Sequence, residues 1–223
     1  MTVTGDFMVF QMSFLKRIFK KESIHRTVTQ AADLQINDII MLTDSFALPE
    51  ILRNQQFQVS AVNSYEYQQS VDTEWVLTGA KDRELFLSLD VDDKTYLKFS
   101  LKINHEDVES LFDLDEFSMI FDEPGDAFLT RKVDTELSQG WSDEQYQQCL
   151  FAKVGYFHRK DQRKESLSSY EGKDSGEKFE SFRLLNQEQS KGLDLEVWED
   201  GDTEVFLTLY RPVSDIVDMY PGS

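Results

Sequence analysis

Two stretches of this chain alternate apolar and polar residues almost without a break, and they lie 108 positions apart. Residues 85–91 place Leu85, Leu87, Leu89 and Val91 on one face, and residues 97–103 do the same with Leu97, Phe99, Leu101 and Ile103. A period of two is the signature of a strand with one buried face. Asp92, Asp93 and Lys94 between the runs supply turn chemistry, so residues 84–103 read as a hairpin. Laid over residues 193–209, Leu85, Leu87, Asp92, Thr95 and Leu101 meet Leu193, Leu195, Asp200, Thr203 and Leu209. Period-2 patterning alone does not require the matched Asp and Thr. The alternation therefore predicts an α+β chain, mostly antiparallel β, with two pseudo-repeated β-sheet halves and a few short helices. The two sheets are expected to pack face to face through their Leu, Phe and Val faces.

The remaining elements fit around the hairpins. Residues 34–43, 57–67 and 74–78 read as strands of the first half, and 150–158, 179–186, 192–198 and 203–211 as strands of the second. Asp44 or Ser45 is expected to cap a short helix carrying Pro49 in its first turn. Asn104 is expected to cap a helix with Asp107 as its capping partner, and Ser142 one running to about Gln148. Residues 117–121 suit either helix or strand. Residues 159–178 read as a charged loop and the best candidate for mobility. The apolar residues from Val213 to Tyr220 are expected to pack on the body. The organisation that results is an N-terminal extension (1–27), a first β-rich half (28–104), an acidic helical connector (105–140) and a second β-rich half (141–223), in one unit.

Composition narrows the function classes. Aromatic residues make up 13% of the chain, far from the make-up of disordered chains. The formal net charge of −19 argues against a phosphate-backbone partner, so no nucleic acid is expected. Residues 104–144 hold 13 acidic side chains against Arg131 and Lys132 alone. The single cysteine, Cys149, excludes an internal disulfide and points to a reducing compartment. No apolar run reaches the length of a membrane-spanning helix.

Chemistry-bearing motifs are sparse. Cys149 and His158 form the one thiol and imidazole pair close in sequence, with no orienting signature around them. His25, His105 and His158 have no metal-ligand spacing. The acidic runs 90–93, 113–116 and 199–204 lack the calcium-loop spacing and read as hairpin tips and a helix face. The segment 172–178 has two Gly and two Lys but no strand before it or helix after it, unlike a phosphate loop. No catalytic residue, metal or cofactor is assigned.

The segment after Met12, itself a candidate start, is the exception to the acidic character. Phe14, Leu15, Ile18 and Phe19 share one helical face, flanked by Lys16, Arg17, Lys20 and Lys21. Such a helix can lie in a membrane interface or dock on a partner. The short MSFLKRIF start, the INDII strand and the following hairpin unit together resemble uncharacterised bacterial proteins built on a domain of unknown function. Some of these are encoded near phage-shock-type membrane-stress genes. The likeness covers mainly 34–103, and Asn37 stands where a glycine is more typical. It implies a bacterial, non-enzymatic accessory protein and carries over no functional residue. The expectation is a cytoplasmic protein that binds a protein partner and touches the inner membrane peripherally. A small-molecule or enzymatic site between the two halves is the alternative, and an acidic decoy for basic proteins is a third reading.

Overall fold

The alternating segments form strands, and the strands form one sheet. The computed structural model describes residues 26–79, 85–164 and 176–222. Among them are β1 (Ile39–Leu42), β2 (Gln56–Glu66), β3 (Val71–Thr78), β4 (Leu85–Val91), β5 (Thr95–Ile103) and β6 (Phe128–Thr130). The second part adds β7 (Gln145–His158), β8 (Glu177–Leu185), β9 (Lys191–Trp198), β10 (Thr203–Pro212) and β11 (Ile216–Tyr220). Two short helices, α1 (His105–Leu111) and α2 (Leu114–Ser118), lie between β5 and β6. All strand pairs among the described residues are antiparallel, and their order is β11-β1-β2-β3-β4-β5-β10-β9-β8-β7-β6.

One further pairing closes the sheet on itself. Ser64, Tyr65 and Glu66 of β2 pair with His158, Phe157 and Tyr156 of β7. The ring β2-β3-β4-β5-β10-β9-β8-β7 is therefore an eight-stranded barrel. The first residues of β2 pair instead with β1, and the first residues of β7 with β6. β1 carries β11 on its other side, so the C-terminal segment packs on the body as the sequence predicts.

Alternation assigns the two faces of the wall. Glu74 on β3 and Glu196 on β9 stand four strands apart by either route around the ring. Both nevertheless approach the hydroxyl of Tyr65, at 3.3 and 3.4 Å. Only side chains that point inward can converge this way, so Glu74, Glu196 and the residues in phase with them face the lumen. Phe86 and Phe206 face the lumen too, whereas Leu85, Leu87, Leu97, Phe99, Leu101 and Ile103 of the first hairpin and Leu193, Leu195, Val205, Leu207 and Leu209 of the second face outward. There they join one apolar cluster with Leu34, Ile40, Leu42, Leu48 and Leu52, and with Val108, Leu111, Phe112, Ile120, Leu129 and Trp141. Burying each such side chain stabilises the fold by roughly 1.5–3 kcal/mol.

This corrects the expected packing of two sheets through their leucine faces. The halves join edge to edge at β5–β10 and β2–β7. The leucine faces are covered by the N-terminal strand region and the acidic connector, which lies over the wall rather than merely bridging two sheets.

Local signals succeed where no distant strand competes. Asn104 and Asp107 form the capping box predicted for α1, each side chain accepting the other's backbone N–H at 2.9 and 3.1 Å. Residues 117–121 complete α2 and a 3-10 turn (Met119–Phe121). The helix expected after Ser142 is absent, because residues from Gln145 onward belong to β7. Tyr146 and Gln148 are buried on one face while β6 and β8 pair on both sides, which outweighs the local cap. The Ser142 hydroxyl instead accepts from Arg131 at 2.6 Å. Residues 45–53 form turns, closed by Leu48 N–H to Ser45 and Leu52 N–H to Pro49, rather than the expected helix. The strand expected from 34 begins only at Ile39. Asn37 adopts a φ of +73°, a left-handed turn that Asn and Gly tolerate. Asp38 anchors that turn by accepting from Arg26, the Gln35 amide and the Gly222 amide at 2.6–2.8 Å.

Candidate ligand-binding lumen

The inner face of the barrel is polar, and it encloses open space. A cavity of about 280 Å³ takes wall residues from all eight barrel strands. A second chamber of about 540 Å³ opens toward the other end. The two share Tyr65, Glu74 and Phe206, which form a waist between them. An eight-stranded barrel is wide enough to be filled by side chains or to hold one small ligand.

The waist concentrates carboxyl groups. Glu74 accepts from the Asn63 amide at 3.0 Å and meets the Tyr65 hydroxyl at 3.3 Å. Glu196 meets the same hydroxyl at 3.4 Å. Burial raises the Glu74 carboxyl to about 6, partly offset by the Asn63 hydrogen bond and Lys98. Burial, then the neighbouring Glu74 charge, pushes Glu196 up to about 8. Burial and both carboxylates likewise raise the Tyr65 hydroxyl far above its ordinary value, so it stays a donor.

On one side of the waist Asp194 is clamped between two cations. Arg183 donates to it through Nε and Nη2 at 2.8 and 3.2 Å, and Lys98 forms a close ion pair with it. Burial works against its charge, but Arg183 and Lys98 win and hold its carboxyl down to about 2. On the other side, Lys102 pairs with Glu204 and Arg159 with Glu177. Aromatic rings complete the wall. Tyr65 and Phe157 pack tilted at 4.9 Å between centroids, and the pairs Phe157–Trp198 and Phe86–Phe206 meet edge to face at 5.6 Å. Gly155 permits this crowding, since a Cβ there would stand 2.6 Å from Phe179 and 2.8 Å from Tyr67.

Three polar atoms of inward-facing residues are buried without a hydrogen-bond partner among the described residues: Trp198 Nε1, Thr208 Oγ1 and Tyr210 OH. Thr208 is fully buried and stands opposite Ser100, which lines the cavity. A buried donor or acceptor left unpaired costs about 1–3 kcal/mol. Of the three, Trp198 lines the second chamber.

The residues singled out from sequence fall elsewhere. Phe14, Leu15, Lys16, Arg17, Ile18, Phe19, Lys20 and Lys21 lie outside the described residues, as does most of the 159–178 loop. The structure separates Cys149 from His158. Cys149 lines the cavity, where burial raises its thiol, whereas His158 bonds Glu66 at 2.9 Å on the outer face. Residues 90–93 and 199–204 are hairpin tips, and Asp113 caps α2. Among the described residues no group of three His, Cys, Asp or Glu side chains is arranged to hold a metal ion, and no helix is long and apolar enough to cross a membrane. Tyr65, Glu74, Lys98, Arg183, Asp194 and Glu196 were not legible as a site. The one sequence signal for them is the density of charge on the non-leucine face of β5, β8 and β9, which an open sheet would show to water. The chain matches no protein-family model, and no curated protein or solved structure matches it.

Proposed function

We propose that this protein is a small-molecule-binding barrel whose ligand sits between its two four-strand halves. The observation that carries the reading is the cavity lined by all eight strands, with Trp198 Nε1 buried and unpartnered among the described residues on the wall of the chamber beside it. Concave sites with a few convergent polar groups are the usual form of ligand pockets. Both halves supply the polar groups: Tyr65, Glu74 and Lys98 from the first, Arg183, Asp194 and Glu196 from the second.

The arrangement is also what two related halves would produce. In its favour, β2–β5 and β7–β10 each form a run of four neighbouring strands in the ring, joined to one another at β5–β10 and β2–β7. Thr208 follows Ser100 by the same 108 positions as the sequence repeat. The hairpin tips depart from symmetry, since Val91 pairs with Thr95 but Val197 with Thr203. The test is a nuclear magnetic resonance titration of the full chain with a panel of small amines, carboxylates and polyols. Shifts confined to inward-facing residues such as Tyr65, Trp198 and Phe206 support the reading. Shifts confined to the outer surface, or none with any member, overturn it.

A second reading, binding of a protein partner, is favoured by a separate feature. Leu114, Met119, Phe121 and Phe128 are exposed on α2, the 3-10 turn and β6, which ends the sheet. An exposed apolar group beside a sheet edge suits a protein contact. Charge substitutions at Met119 and Phe128 that leave capture of a partner unchanged would refute it.

A further inference from the structure

Donors are short at the waist of the lumen. The Tyr65 hydroxyl has one proton and two carboxylates within 3.4 Å. Glu74 has the Asn63 amide besides, whereas Tyr65 is the one hydrogen-bond partner of Glu196 among the described residues. The nearby cations are already engaged. Arg183 and Lys98 hold Asp194, Lys102 holds Glu204, Arg159 holds Glu177, and Lys153 sits 3.7 Å over the Tyr67 ring. Across the two chambers nine carboxylates face five cationic side chains. Even with Glu196 protonated, carboxyl groups outnumber cations along the lumen, which is walled by aromatic rings whose faces attract cations. Phe157 and Trp198 close one side of it, and Phe206 the other.

We infer that the lumen takes a small organic cation, a linear alkyl amine, with its ammonium group lodged between Glu74 and Glu196 beside the Tyr65 hydroxyl. This rests on the barrel-binding reading and names its ligand class. An ammonium supplies three donors and one positive charge, which is what the two carboxyl groups and Tyr65 lack. The methylene chain then runs along the aromatic wall into either chamber, and a second amine reaches the acidic rim at Asp72 and Asp90 or at Asp200 and Asp202. The cavity of about 280 Å³ sits at the small end of ligand pockets, which are typically about 300–1,000 Å³.

Binding of the cation carries a proton signature. Glu196 faces Tyr65 on β2, Glu74 on β3, Lys98 on β5 and Glu204 on β10. Empty, it holds its proton at neutral pH; the ammonium displaces it. The test is isothermal titration calorimetry on the full chain with 1,4-diaminobutane and spermidine, alongside succinate and 1,4-butanediol. Buffers of different ionisation enthalpy report the proton balance. The expected result is binding of the amines with release of about one proton at pH 7. Glu74→Gln and Glu196→Gln are expected to weaken amine binding each, and together by roughly a hundredfold. Both replacements relieve buried charge; should one fail to fold by circular dichroism, the other decides the point. Amine binding that survives both variants overturns the inference. So does binding of succinate or butanediol in place of the amines, which would leave the barrel-binding reading intact. No binding of any of the four overturns the amine inference, while the wider panel decides the barrel reading separately.

Discussion

Replacing Glu196 with Gln is predicted to stabilise the protein above neutral pH. The reasoning starts from a carboxyl group whose ordinary value is 4.5 and which the barrel holds at about 8. Between those values the unfolded chain is ionised at this position while the folded chain keeps its proton. Folding therefore takes up a proton, and stability falls as pH rises, reaching its floor near pH 8. The slope is at most about 1.4 kcal/mol per pH unit, and the whole span amounts to on the order of 5 kcal/mol. Glu74, held at about 6, adds its own slope only at lower pH. Across pH 6.5 to 7.5 the native protein should lose about 1 kcal/mol more than the Glu196→Gln variant. Glu196→Gln removes that loss, because an amide does not titrate and keeps an oxygen to accept from Tyr65. Urea unfolding followed by fluorescence of buried Trp75 and Trp141 gives the free energies. A native protein that loses no more stability than the variant across this window refutes the reasoning, as does a variant less stable than the parent at pH 8.

Asp194→Asn is expected to act in the opposite sense, since it strands Arg183 and Lys98 on the inner wall. Breaking that cluster should cost about 3 kcal/mol, a fall in Tm of roughly 6–12 °C by calorimetry. The stability that Asp194 contributes is present above 3.8 and is lost as pH falls toward about 2. Gly155→Ala should destabilise by roughly 1–3 kcal/mol, because its Cβ drives into the rings of Phe179 and Tyr67; unchanged urea midpoints would contradict this. Removal of residues 1–26 should abolish co-sedimentation with anionic liposomes. Equal pelleting of both forms would remove Phe14, Leu15, Ile18 and Phe19 and their four basic neighbours from any membrane role.

The sequence was most informative where structure is local. The hairpins at 85–103 and 193–209 follow from period-2 patterning and turn residues. The α1 cap follows from the reach of Asn104 and Asp107 side chains to backbone three residues away. It failed where pairing at a distance decides. Residues 145–148 carry a helix-capping pattern, yet β6 and β8 on either side make them a strand. The direction of the leucine faces was equally hidden. An alternating strand says that one face is buried, not which side of a closed wall it occupies. Only the three-residue contact between β2 and β7 makes the wall a barrel, and it joins positions 90 to 94 apart, such as Tyr65 and Phe157, through no local signal. Once the barrel closes, Lys98, Arg183, Asp194 and Glu196 become lumen residues, where an open sheet would have left them in water.

The central claim is that a ligand enters the lumen and meets the waist. Intermolecular nuclear Overhauser effects between the methylenes of bound 1,4-diaminobutane and the ring protons of the full chain test it most directly. The account predicts contacts to Tyr65, Phe157, Trp198 and Phe206, lost in the Glu74→Gln, Glu196→Gln double variant. Contacts only to rings outside the barrel, such as Phe46 or Phe128, would contradict it.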